Sequence, residues 1–216
     1  MEEYVARIVD EDDLFFMWQV RPTVIFGRNQ LIGNEVNMEY CRQHDIEVYR
    51  RKSGGGCVYA DMQNVMLSYV TRDDNVNMTF NRFVNMMILV LRRMGIEAVG
   101  TSHNDIMIGD RKVSGTAFYH KQCASIVHAT LLYGTNMEHM LNAITPDPQK
   151  LQSKGIQSVR QRITFLKDHT ELSLDEVKAL VRETLCQDEM MLTTADVTAI
   201  EAIEESYLSE SFINHL

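Results

Sequence analysis

Cysteine is scarce and scattered in this chain: Cys41, Cys57, Cys123 and Cys186 are the four in 216 residues, and no two form a C-x-x-C pair. That spacing excludes the usual structural zinc motifs and a dense disulfide framework, and it makes a reducing cytoplasm the expected setting. Proline is scarcer still (Pro22, Pro146, Pro148), and no Ser/Gly-rich linker, repeat or low-complexity tract divides the chain. A single domain over residues 1–216 is therefore expected. No window offers the roughly 18 apolar residues of a membrane span, and no signal peptide opens the sequence, so no membrane partner is expected. Cations are outnumbered, 21 Lys and Arg against 30 Asp and Glu. The resulting charge of −9 argues against extended binding to nucleic acid or to an anionic lipid surface. The methionines are spread through apolar segments and read as core filler.

Against this acidic background one stretch is cationic: Arg50-Arg51-Lys52-Ser53-Gly54-Gly55-Gly56-Cys57-Val58. Glycines let backbone N–H groups wrap an anion without side-chain obstruction, and arginine forks match phosphate or carboxylate oxygens. The spacing is neither a Walker A loop nor a dinucleotide fingerprint, and a strand rather than a helix follows. Alternation along Ile46 to Arg50 turns Arg50 toward the core side and Arg51 away, so Arg50 is the arginine expected to reach a buried ligand. A plain glycine turn with solvated cations is the competing reading.

The pattern predicts helix over Glu2 to Val9, strands over Leu14 to Val20 and Thr23 to Phe26, helix over Val36 to His44, and strand over Ile46 to Arg50. Strands Val58 to Ala60 and Asn64 to Val70 follow. Phe80, Phe83, Val84, Met87, Ile88, Leu91 and Met94 then share one helical face, closed by Arg92, Arg93 and Gly95. Further strands are expected at Ala98 to Gly100, Asp105 to Ile108, Lys112 to Tyr119 and Ser125 to Tyr133. Ser173 with Glu176 forms a capping box ahead of a helix, and Thr194 to Leu208 reads as an acid-rich amphipathic helix. The fold class is α+β, a largely antiparallel mixed sheet flanked by helices.

Gly109-Asp110 reads as a two-residue hairpin turn. Its register pairs Ile108 with Arg111, Met107 with Lys112 and Asp105 with Ser114. Asp105, Lys112, Ser114 and Thr116 would then line one face. Such a face suits phosphate and metal binding, or is simply a solvated Lys–Asp surface. His128 alternates among apolar neighbours, as either a core histidine or a ligand contact.

Taken together, "VIFGRNQ" (Val24 to Gln30), "RRKSGGGCVYAD" (Arg50 to Asp61), "HNDIMIGDRKVSGTA" (His103 to Ala117), "HATLL" (His128 to Leu132) and "KGIQSVRQRI" (Lys154 to Ile163) resemble the lipoate–protein ligase A family of the biotin/lipoate ligase superfamily. The resemblance covers nearly the whole chain. It implies a catalytic domain like those of biotin ligases and class II synthetases, with the last helices from about residue 173 as its C-terminal part. It also implies a two-step reaction, in which ATP and lipoate give lipoyl-AMP and pyrophosphate, and an acceptor lysine then takes the lipoyl group. Lys112 matches the family's essential lysine. Arg50, Gly54, Gly55, Gly56, Cys57, Val58, Asn104, Asp105 and Lys112 are the expected ATP contacts. Lys112, Gly56, Ser114 and His128 are the expected lipoate contacts, and Asp105 is the candidate Mg²⁺ contact. ATP enters as a substrate with Mg²⁺, and no tightly bound cofactor is expected. Acceptors by family analogy are lipoyl domains of 2-oxoacid dehydrogenases or the glycine cleavage H protein.

The sequence departs from the family at Ala60, where histidine is frequent, and at Gln63 and Ala129, where glycine is. "MEEY" resembles the middle of the family's first helix, and the small C-terminal accessory domain of the long ligases is not expected within this chain; some relatives have it as a separate protein. Two other functions compete. An octanoyl- or lipoyl-transferase of the same fold would use a cysteine acyl-enzyme or preformed lipoyl-AMP, but Asn142 to Gln149, where that cysteine would fall, reads "NAITPDPQ". A non-catalytic lipoate- or nucleotide-binding protein is the third reading.

Overall fold

The computed structural model describes residues 1–10, 13–101, 105–121, 124–145 and 162–214. Helix α1 (Glu2–Ile8) precedes β1 (Leu14–Trp18) and β2 (Thr23–Phe26). Short helices α2 (Ile32–Glu35) and α3 (Met38–Gln43) cross to β3 (Glu47–Arg50), and β4 (Val58–Ala60), β5 (Asn64–Thr71) and the long helix α4 (Val76–Arg93) follow. Next come β6 (Val99–Gly100), β7 (Asp105–Ile108), β8 (Arg111–Lys121), β9 (Ala124–Leu132) and α5 (Met137–Ala143). A 3-10 turn (Leu166–Asp168) then leads to α6 (Leu174–Leu185), α7 (Thr194–Leu208) and α8 (Glu210–Ile213).

The strands form two sheets. One has six strands in the order β1-β5-β9-β8-β7-β6, with every described pairing antiparallel; the other has the order β3-β2-β4. In the small sheet β2 is parallel to β3 and antiparallel to β4. Parallel neighbours need a crossover, and α2 with α3 supplies it. This is the α+β arrangement read from the sequence, with the strands divided between two sheets.

The main core lies between the large sheet and α4. Phe83, Met87, Val90 and Leu91 recur at helical spacing and meet Leu67, Tyr69, Val127, Ala129 and Leu131. Helix α4 starts earlier than the apolar pattern indicates because the Asn75 side chain accepts the Met78 amide at 3.1 Å. It ends as expected, at Gly95 with φ 79°. The Ser173–Glu176 capping box forms with both of its hydrogen bonds, and it directs Val177 and Val181 of α6 into the same core. Two expectations change. The helix read over Val36 to His44 is broken at Val36, which is extended and bridges Ile144, and the Asn37 side chain caps a fresh start at α3. Helix α7 occupies the expected residues but fully buries none of them. No helix among the described residues is long and apolar enough to cross a membrane.

Helix α4 offers a matched test of this core. Phe83 is 0% exposed and Leu89 is 51% exposed. Phe83→Ala is expected to cost about 3–5 kcal/mol in urea unfolding. Leu89→Ala should stay within about 0.5 kcal/mol of the wild type.

Candidate active site

Residues 51–57 join β3 to β4 without regular structure, and Gly55 adopts φ 94°, in the left-handed region that glycine enters freely. The loop lies directly on Gly27, where a Cβ would come within 2.0 Å of the Gly55 carbonyl oxygen. The Arg28 amide donates to the Ser53 carbonyl at 2.9 Å. Arg51 folds back over its own loop. Its Nη2 donates to the carbonyls of Gly54 (2.8 Å) and Gly56 (2.7 Å), its Nη1 to Ile25 (3.0 Å) and its Nε to Ser53 Oγ (3.0 Å). Among the described residues, the amides of Gly54, Gly55 and Gly56 donate to no carbonyl or side chain. Carbonyls gathered onto a cation, with N–H groups left unspent, make a backbone anion cradle.

Arg50 points inward as alternation predicts and is 3% exposed. Its guanidinium lies 4.6 Å from the Phe26 ring centre and donates to the carbonyls of Arg28 (2.6 Å), Gln30 (3.0 Å) and Ile213 (3.0 Å). Arg51, expected to point away, instead serves as the clamp of the loop. Lys52 pairs with Glu3 at 2.7 Å and stands over the Tyr207 ring.

The hairpin after β7 turns at Gly109-Asp110, and its first two pairs, Ile108–Arg111 and Met107–Lys112, are those expected. The register then slips by one between Met107 and Ile106, so that Ile106 faces Ser114 and Asp105 faces Gly115. Strand β8 carries the additional residue, Val113, which is wholly buried in the main core. The slip reverses the alternation that follows. Ser114 and Thr116 oppose Leu131 and Ala129 on the α4 side of the sheet, and do not share a face with Asp105 and Lys112 as expected. The Ser114 side chain is fully buried there.

On the other face, Asp105 is held between two cations. Its Oδ1 lies 2.7 Å from Lys112 Nζ and its Oδ2 2.6 Å from Arg162 Nη2. Burial alone would raise the Asp105 carboxyl, but the two cations outweigh it and hold the group below the usual carboxylate range. Gly115 makes room for the lysine: a Cβ on it would stand 2.3 Å from Lys112 Nζ. The Thr164 amide donates to the Lys112 carbonyl at 2.9 Å, which fixes the strand beneath.

Cross-strand pairing links the two clusters. Asp105, Gly115 and Thr130 form one row across the large sheet, and Ala117, His128 and Ser68 form the next. The rows are two residues apart, about 7 Å along the strands. His128 connects this face to the cradle, with Nε2 2.8 Å from Ser53 Oγ and Nδ1 3.2 Å from the Glu2 carboxylate. Glu2, Ser53 and Arg162 were not singled out from sequence. Arg162 falls within the quoted "KGIQSVRQRI" segment, but nothing in its spacing points to Asp105. Asn104, expected at the phosphates, lies outside the described residues, as do Cys123 and residues 146–161. Burial pushes the Cys57 thiol up to about 12, so it stays protonated at neutral pH. Asp105 by itself offers a divalent ion no cage, since both its oxygens are ion-paired, and the described residues contain no cluster of three or more metal-ligating side chains.

This α+β fold places the ion-paired Lys112 on one face of the large sheet, where His128 reaches the glycine loop between β3 and β4. The same fold occurs in a bi-partite lipoate protein ligase of Thermoplasma acidophilum, solved in a study of that enzyme and its E2 lipoyl domain. The TM-score is 0.86 at 25% identity, covering 100% of this chain and 90% of that one. The chain belongs to the lipoyl protein ligase A/B catalytic domain family, which it matches over residues 1–186. It is similar to lipoate–protein ligase 1 of Staphylococcus aureus (35% identity over 211 residues, 94% of this chain and 64% of the relative). It is also similar to the lipoate–protein ligase LplJ of Bacillus subtilis (34% over 170 residues, 78% of this chain and 51% of the relative). The chain thus spans between half and two thirds of the length of these curated relatives.

The carboxylate geometry sets the acid response. Because folding lowers the Asp105 pKa, its contribution is complete above the unfolded value of about 3.9 and is lost as pH falls through the folded value. Asp105→Asn should therefore lower the urea midpoint at pH 7 and flatten its fall as pH drops below about 4, as denaturation curves through that range would reveal.

Proposed function

We propose that this chain activates lipoate as lipoyl-AMP and transfers the lipoyl group to a lysine of an acceptor lipoyl domain. The observation that carries the reading is Lys112, held by Asp105 over Gly115 on the sheet face that His128 joins to a glycine loop with unspent amides. Lipoate carboxylate and ATP phosphate are both anionic, and they approach only where fixed positive charge offsets their repulsion. In the first step a carboxylate oxygen bonds to the α-phosphorus and the bond to pyrophosphate breaks. In the second, the acceptor amine attacks the acyl carbon, AMP leaves, and the amine proton passes to solvent.

Lys112 is suited to serve both anions from a rigid strand position. When its ammonium turns to substrate, Arg162 still neutralises Asp105, so no buried carboxylate is left unpaired. The glycine amides would receive phosphate oxygens, with Mg²⁺ accompanying the nucleotide. Residues 1–216 would form one catalytic unit, with the helices from about residue 173 as its C-terminal part. The acceptor class is lipoyl domains of 2-oxoacid dehydrogenases or the glycine cleavage H protein. The setting is the cytoplasm, where Cys41, Cys57 and Cys186 remain free thiols. The protonated Cys57 disfavours a transferase that works through a cysteine acyl-enzyme at that position.

Purified chain with ATP, Mg²⁺, lipoate and a lipoyl domain should add one lipoyl mass to the acceptor, read by mass spectrometry. Acceptor acylation from octanoyl-carrier protein without ATP would sink this reading in favour of the transferase. Lys112→Ala is expected to slow adenylate formation by about a hundredfold or more while the fold persists. Gly115→Ala, whose Cβ displaces a flexible ammonium and no backbone, should leave stability within about 1 kcal/mol yet lower the same rate at least about tenfold.

A further inference from the structure

A continuous chain of hydrogen bonds runs from the first helix to the glycine cradle, and with the His128 ring neutral its donor directions follow from the groups themselves. The Glu2 carboxylate can only accept, so His128 Nδ1, 3.2 Å away, carries the ring proton. In the neutral ring Nε2 is then an acceptor, and Ser53 donates its hydroxyl proton to it at 2.8 Å. Ser53 Oγ in turn accepts from Arg51 Nε at 3.0 Å, and the Arg51 fork gathers the carbonyls of Gly54 and Gly56. At the far end Ser68 Oγ donates to Glu2 at 2.6 Å and accepts from Trp18 Nε1 at 3.0 Å. Every link has one donor and one acceptor, and none competes with its neighbour.

We propose that Glu2, His128 and Ser53 are positioning residues: through Arg51 they fix which way the glycine loop turns its carbonyls, and so aim its amides at the nucleotide phosphate. The proposal rests on reading that loop as the ATP cradle. It assigns His128 to the loop, although the family resemblance points it toward lipoate. The order serine–histidine–carboxylate is also that of an activated nucleophile. Ser53, however, is 2% exposed, so it lacks the access to attack an acyl group.

The test uses the full chain with Ser53→Ala, His128→Leu, Glu2→Ala and Glu2→Gln. ATP with Mg²⁺ and, separately, lipoate are titrated by calorimetry, and thermal unfolding is followed alongside. The first three variants should weaken ATP by about tenfold, the loss of one well-aimed charge-assisted contact, with lipoate affinity held within about twofold. Glu2→Gln keeps an oxygen to accept from His128 Nδ1 and should restore most of the ATP affinity. Glu2→Ala, remote from the loop, reads the same break if Ser53→Ala does not fold. Weakened lipoate with unchanged ATP would place His128 at lipoate and overturn the proposal. So would parallel losses in both affinities that track melting temperature, the mark of a merely structural role. If wild-type chain shows no lipoate-dependent pyrophosphate exchange but ATP affinity still follows the variants, the adenylation reading fails and the relay stands. If exchange is robust and ATP affinity ignores all the variants, the relay alone fails.

Discussion

A backbone loop can receive an anion only if its carbonyl oxygens are turned away from it, and in this protein Arg51 imposes that condition. One guanidinium takes the carbonyls of Gly54, Gly56 and Ile25 and the hydroxyl of Ser53, so the loop has a fixed polarity before any ligand arrives. Preorganisation of this kind matters because dipoles already aligned need not reorganise when charge moves. Gly27 is the steric counterpart: only a residue without Cβ lets the Gly55 carbonyl come so close.

The cradle is also where distant parts of the chain meet. Arg50 donates to carbonyls of the segment after β2 and to Ile213 of α8, so it ties the small sheet to the C-terminal helices. Lys52 joins α1 through Glu3 and α7 through Tyr207, and Tyr4 of α1 donates to Asp196 of α7. The three consecutive cations thus have three separate duties. Arg50 staples segments together, Arg51 shapes the loop, and Lys52 anchors the helices at its rim.

Much of this was legible in the sequence where periodicity is strong. The α4 face, the Gly95 stop, the Ser173–Glu176 box and the Gly109-Asp110 hairpin all rest on local chemistry that tertiary contacts do not override. The bulge was not legible, because a two-residue turn sets only the first pairs of a hairpin, and burying Val113 in the core decides the rest. That one residue moved Ser114 and Thr116 to the opposite face. The break at Val36 depends on a bridge to Ile144, more than a hundred positions away. In the site, the motif residues Lys112, Asp105 and Arg50 could be nominated from composition and family resemblance. Glu2, Ser53 and Arg162 could not, since each gains its role from a partner dozens of residues distant. The clamp role of Arg51 was not legible, because alternation gives the direction of a Cβ and says nothing about a long side chain that curls back.

The central claim, that a clamped glycine loop offers its amides to nucleotide phosphate, is tested most directly by watching those amides. The chain has 11 glycines, so selective ¹⁵N-glycine labelling gives a spectrum simple enough to assign. On titration with ATP and Mg²⁺, the account predicts large shifts at Gly54, Gly55 and Gly56, with Gly33, Gly95 and Gly109 unmoved. Shifts confined to those distant glycines, with the loop silent, would contradict it.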